Sequence, residues 1–305
     1  MLFFLHGYEP FLIDGRRLPL AVMVSGLHLI GWYGFVAFYI LRRRRLGSSL
    51  ATADLDVSVA LLVLSTIGAW GLAFHEPLGL DEPVWLIGLT HFFLDTFSEG
   101  WLVVGVLGLA YARSGVDNRL GRRALYAYAF AVPFLYALAI PGHLVPPMLC
   151  ITARVAAIVA GAALLAHAWN LRRLARFATM VWILPLLFVA LKGGGQAAVG
   201  LLPDAWWPEI RGLRVLYIHV MLLGFVSLGL VAVGVSIGFV RQGWRVLVLQ
   251  LATVALLVGI VPLTGLWPSA WRELGVLRIA TWLSVLPPLA ALLLIGSRAT
   301  IPPPP

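Results

Sequence analysis

Nine stretches of about twenty mostly apolar residues, the length that spans a bilayer, cover most of the chain. They lie at roughly 19–41, 57–74, 84–112, 123–140, 146–170, 178–202, 213–240, 245–267 and 277–297. Such a stretch has one stable setting. Hydrocarbon offers no water to the backbone, so each segment must close its own hydrogen bonds as an α-helix. The composition agrees: 61% of the 305 residues are hydrophobic and 11% charged, against about 25% charged in a soluble domain. A soluble enzyme, a disordered chain and a nucleic-acid-binding domain are excluded. The expected fold is an all-α polytopic transmembrane bundle of about nine helices, or eight if one of the two shortest stretches is re-entrant. No hydrophilic stretch is long enough for a second domain, so 1–305 reads as one.

The net charge of +9 would point to nucleic acid in a soluble protein. Here it follows from basic residues crowding the cytoplasmic ends of helices. Loops after the odd-numbered stretches hold Arg42–Arg45, Arg113, Arg119, Arg122, Arg123, Arg172, Arg173, Arg176, Arg241, Arg245 and Arg298. The other side holds Arg16, Arg17, Arg211, Arg214, Arg272 and Arg278, with most of the loop acids. The expected N-terminus is therefore outside and the C-terminus cytoplasmic, in a cell inner (plasma) membrane. The lipid bilayer is the first partner, with membrane partner subunits or further copies of the chain as others. Trp206–Trp207 and Trp267–Trp271 fit an outer interfacial belt, and Pro133, Pro185, Pro262, Pro287 and Pro288 are expected to kink their helices. Cys150 is the only cysteine, which rules out an intrachain disulfide and a Cys-based metal site.

Ionisable residues inside a membrane helix are costly and mark function by default. The third stretch carries His91, Asp95 and Glu99 at i, i+4 and i+8. At 3.6 residues per turn these drift about 40° per step and share a face. His28, His91 and His219 lie at similar depths in the first, third and seventh stretches, all running inward, and Arg154 matches them in the fifth. Lys192 and Gln196 sit in the outer half of the sixth, and Tyr217 lies two residues from His219. Charged and imidazole groups thus form one layer in the outer leaflet. Asp95, Glu99 and Lys192 are the candidate chemical groups. His28, His91 and His219 are the candidate metal ligands, with Arg154, Gln196 and Tyr217 beside them. Lys192 precedes Gly193-Gly194-Gly195, which reads equally as close helix packing or as an unwound helix lining a cavity.

Two segments, His91 through Leu109 and Ala190–Gln196 with Leu216–Phe225, resemble bacterial membrane proteins grouped loosely with haem–copper oxidase subunit I and its nitric-oxide-related cousins. The family carries a His where this chain has Asp95, and the paired His-His motif of subunit I is absent. The resemblance implies an oxidase-like electron-transfer protein with haem b or copper near the outer side. Neutral imidazoles are common ligands for both. Two other readings stand beside it. In a proton- or ion-coupled transporter or channel, Asp95, Glu99, Lys192 and Arg154 carry the coupling charges. In an assembly subunit without cofactor the polar layer only joins helices.

The orientation is testable. Cys150 should react with an impermeant thiol reagent in intact cells, and labelling only after the inner face is exposed overturns the assignment.

Overall fold

The computed structural model describes residues 11–13, 16–18, 20–177, 180–202, 211–264 and 274–295. Trp206–Trp207, Trp267–Trp271 and Pro302–Pro305 lie outside the described residues. Helix α1 is Leu20–Arg43, preceded by a hairpin of Phe11–Ile13 and Arg16–Leu18. Helix α2 is Leu50–Ala73, α3 Pro83–Ser114, and α4 runs over 119–139. Helix α5 is Pro147–Phe177, α6 Ile183–Leu201, α7 runs over 211–236, and α8 is Trp244–Leu263. Helix α9 is built of Leu274–Leu283 and Leu286–Ile295. Among the described residues, seven helices are long and apolar enough to cross a membrane: α2, α3, α5, α6, α7, α8 and the 278–295 part of α9. The chain is a multi-pass helical protein by that measure.

Helix α2 starts seven residues before the apolar run suggested. Ser49 caps it: its side chain accepts the Thr52 N–H, and Thr52 returns the bond, the reciprocal box that satisfies two orphan donors. Asp54 and Asp56 therefore belong to the helix. The prolines act less uniformly than expected. Pro133 opens a 3₁₀ stretch, Val132–Ala139, and Pro262 lies in the terminal 3₁₀ turn of α8. Pro185 sits in the first turn of α6, and Pro287 and Pro288 in the first turn of the second half of α9. Proline is tolerated in a first turn because those N–H groups have no helical partner.

Glycines set the packing. A Cβ on Gly68, Gly100 or Gly108 would strike Phe93, Leu61 or Asp54 respectively, so α2 and α3 run antiparallel at close range. Helices α5 and α6 meet at equally close range. A Cβ on Gly161 would lie 2.5 Å from the Gly193 carbonyl, and one on Gly193 would lie 2.9 Å from the Gly161 carbonyl. This settles the glycine triplet: α6 is a continuous helix, and Gly193 serves backbone contact. Helices α3 and α7 run parallel, with His91 beside Arg214 near one end and Gly229 against Val106 near the other.

Gly161→Ala should cost about 1–3 kcal/mol through overpacking, lowering the melting temperature in detergent by several degrees. Gly194 has nothing within 4 Å of a built Cβ. Gly194→Ala should match or exceed wild type, by up to about 1 kcal/mol of helix propensity.

Candidate functional site

Two helices carry most of the site, and each widens next to it. In α3 the segment Thr96–Val103 is π-helical, and in α7 the segment Val220–Ser227 is. A π turn holds about one residue more than an α turn and is frequent at functional sites. Glu99 lies inside the first widened segment, so the third residue of the stripe swings back onto the face of His91 and Asp95. All three line one cavity of about 150 Å³, with Ser98, Gln196, Arg214 and Tyr217 as its other polar walls. A larger hollow, about 540 Å³, is an open apolar furrow between α5 and α6. It holds no side-chain chemistry apart from Arg172, whose guanidinium lies 3.8 Å over Trp169.

The centre of the site is an ion pair. Lys192 Nζ stands 3.0 Å from Glu99 Oε2, with only 1% and 4% of the two side chains exposed. Lys192 also donates to Gln196 Oε1 at 2.9 Å and to the Tyr217 hydroxyl, over whose ring it sits. All three ammonium hydrogens thus have acceptors. Tyr217 in turn donates to Glu99 Oε1 at 2.9 Å, and Tyr128 donates to Oε2 at 3.4 Å. Four helices, α3, α4, α6 and α7, meet at this carboxylate. Asp95 lies in the cavity wall within electrostatic reach of Glu99, Lys192 and Arg214. Two acids and two bases leave the site near neutral overall.

Arg214 donates to His91 Nε2 at 2.9 Å. A guanidinium only donates, so this Nε2 is an acceptor and the neutral ring carries its hydrogen on Nδ1. Arg214 and Tyr128 were not among the sequence candidates. Arg214 counts as a loop arginine there, although it stands three residues before Tyr217 on one helical face. Tyr128 gives no signal, because a tyrosine near a helix end is ordinary at an interface.

The other candidates are elsewhere. Arg154 donates to the Gly200 and Leu202 carbonyls at 3.1 and 3.0 Å, which satisfies the open C-terminal end of α6. It does not line the cavity. His219 Nδ1 donates to the Val215 carbonyl at 2.7 Å within its own helix. His28 is exposed on α1, edge-on to Trp32. The shared depth of the three imidazoles is therefore not convergence. Among the described residues no three His, Cys, Asp or Glu side chains are grouped to hold a metal ion. A haem iron or copper needs the imidazole lone pair, and at His91 Nε2 that pair is taken up by Arg214. These histidines do not fit a shared haem or copper site.

Removing one partner of a buried pair leaves a stranded charge and costs about 3–5 kcal/mol. Lys192→Met should therefore destabilise the protein strongly. The double variant Glu99→Gln/Lys192→Met should recover much of that loss in thermal melts. No family model matches the chain, and neither a curated protein nor a solved structure matches it, so the chemistry of this site must be read from its own geometry.

Proposed function

We propose that the chain is a proton- or ion-coupled transporter or channel of the cell inner membrane, with the Glu99–Lys192 pair as its coupling site. The observation that carries this reading is the pairing itself: a fully hydrogen-bonded ion pair, bracketed by two tyrosines, against a polar cavity in a helix bundle. Intramembrane acids and bases placed in this way mark ion and proton pathways. A structural tie alone needs neither the cavity nor Asp95, His91 and Arg214 lining it. The π segments beside the pair support the same reading, since such segments recur where a helix serves function. Asp95 and Arg214, both in the cavity wall, present opposite charges to an incoming ion or zwitterion. His91 fixes Arg214 through one ring nitrogen and leaves the other available as a donor.

The redox reading has less support. It rests on the resemblance of short segments, while His28 and His219 have separate settings and His91 is engaged by Arg214. The two readings separate in one preparation. Purified protein in liposomes should dissipate an imposed pH gradient, or couple it to uptake of a small ion. Glu99→Gln, read per folded molecule, should lower the rate at least tenfold, and Glu99→Gln/Lys192→Met, which leaves no stranded charge, should lower it as much. Visible absorption bands that disappear in His91→Ala, with no flux in wild type, would overturn the proposal in favour of a cofactor protein.

A further inference from the structure

A second polar cluster lies toward the other end of α3, twelve residues beyond Glu99, on the side of the arginine-rich loops. Asp54 of α2 is fully buried there, and neither carboxylate oxygen has a hydrogen-bond partner. Its Cβ faces Gly108, where an added methyl would come within 3.1 Å. Tyr111 follows one turn later, and a helical side chain leans back over the preceding turn. The Tyr111 ring thus lies toward Asp54, within electrostatic reach of it. Leu50, one turn before Asp54 on the same face, and the Tyr111 hydroxyl both lie against Gly121. The third member is His167 of α5. It is fully buried, and its Nε2 has no partner.

The polarity of this cluster is fixed from the backbone outward as far as the Tyr111 oxygen. The Gly121 N–H donates to Asn118 Oδ1 at 2.8 Å, so Asn118 Nδ2 is left to donate to Asn170 Oδ1, also at 2.8 Å. Asn170 Nδ2 then donates to the Tyr111 oxygen at 3.2 Å. The Tyr111 hydroxyl lies 2.8 Å from His167 Nδ1. With the phenol as donor in that bond, His167 is neutral and carries its hydrogen on Nε2, and this is taken as the resting form. Other charged groups nearby are committed. Asp117 accepts the Leu50 N–H and pairs with Arg122, while Asp56, on the opposite side of α2 from Asp54, is held by Arg43 and Tyr39 of α1. A buried carboxylate without a partner must be matched by a proton or a cation. The space around Gly108 is filled by Ala51, Asp54 and Leu55, and a proton needs no volume.

We infer that Asp54, Tyr111 and His167 form a second buried proton-binding site, in which Asp54 and His167 exchange one proton through the Tyr111 hydroxyl. At rest no polar atom lies within hydrogen-bond reach of the Asp54 carboxyl, so the exchange requires it first to turn onto the Tyr111 oxygen. It then passes its proton there while the phenol's hydrogen moves to His167 Nδ1. Asp54 becomes a carboxylate, His167 an imidazolium, and Tyr111 stays a phenol. In the product state the phenol's new hydrogen points to Asp54, which gains the partner it lacks at rest. The inference deepens the coupled-transport reading by giving α3 one proton site toward each end, but its test does not require flux.

The test uses the full chain in lipid nanodiscs with carboxyl-¹³C aspartate and ¹⁵N histidine. Infrared spectra should show a protonated aspartic carboxyl band at neutral pH that vanishes in Asp54→Asn and persists in Glu99→Gln. No such band in wild type, a measurement that needs no variant, overturns the inference, and so does a band unchanged in Asp54→Asn. The His167 ¹⁵N signal should report the Nε2–H form and should respond to Asp54→Asn in wild type but not in a Tyr111→Phe background. A His167 signal indifferent to Asp54→Asn overturns the exchange. In liposomes Asp54→Asn should lower flux at least tenfold. Absence of flux in wild type would instead count against the transport reading, with the infrared band still deciding this site.

Discussion

A charge in hydrocarbon has to be matched within the protein, and at Glu99 and Lys192 the matching draws four helices to one point. Alone, either residue costs several kcal/mol to bury. Together they are neutral, and Tyr217, Tyr128 and Gln196 take up the remaining donors and acceptors. This requirement constrains the surrounding fold. Helix α6 can carry Lys192 inward only because Gly161 and Gly193 let α5 and α6 meet backbone to backbone. Helix α3 can aim Glu99 at α6 while Asp95 and His91 line the cavity because the π segment begins between Asp95 and Glu99. Inside the π segment the Trp101 carbonyl accepts the Val104 N–H and a second bond from Ser58 at 2.8 Å, so α2 supports the distortion from behind.

Between the two polar clusters α3 is apolar. Val103, Val104 and Leu107 are fully buried, in the roughly 18 Å of helix that separates Glu99 from Tyr111 at 1.5 Å per residue. An apolar layer of this kind would insulate the two proposed proton sites from each other. Charge passes between them only when the layer opens or a side chain swings across it. The widened segments of α3 and α7 adjoin this layer on parallel helices. A π segment converts to α by shifting one residue's register, which rotates everything beyond it while the hydrogen bonds exchange one partner at a time.

What the sequence makes legible follows from what periodicity encodes. The stripe of His91, Asp95 and Glu99 is readable because i, i+4, i+8 spacing fixes azimuth on a single helix. The three histidines are not, because depth fixes one coordinate and leaves azimuth and neighbours free. Hence His28 faces outward and His219 bonds to its own helix. Asp54 was hidden by its charge: with Asp56 it ends the apolar run at 57, although the Ser49 and Thr52 pair marks an earlier start. Arg214 was hidden in the same way by its place in a basic loop segment. The glycine triplet could be read two ways from composition, and only the partner surface on α5 decides between them. Nothing local in either sequence signals the π segments. They arise where a tertiary demand, here the meeting at Glu99, outweighs the regular helix.

The position of Tyr217 offers the central pair a second arrangement of its protons. Its oxygen accepts from Lys192 and its hydrogen is donated to Glu99, so the three groups form a chain with one direction. If the Tyr217 hydrogen moves to Glu99 Oε1 and a Lys192 hydrogen moves to the Tyr217 oxygen, the result is a neutral acid, a phenol and a neutral amine. No heavy atom has to travel far. In water the ionic form wins easily, because solvent stabilises both charges. In low dielectric that advantage shrinks, since taking two ions out of water costs much of what their attraction returns. The balance then depends on what stands in the cavity beside them. A cation near Asp95 or an anion near Arg214 shifts the field along this chain, and with it the side on which the proton rests. In the proposed transporter, occupancy of the cavity and protonation of Glu99 would thereby be linked, and such linkage between solute and proton is the minimum that coupled transport requires.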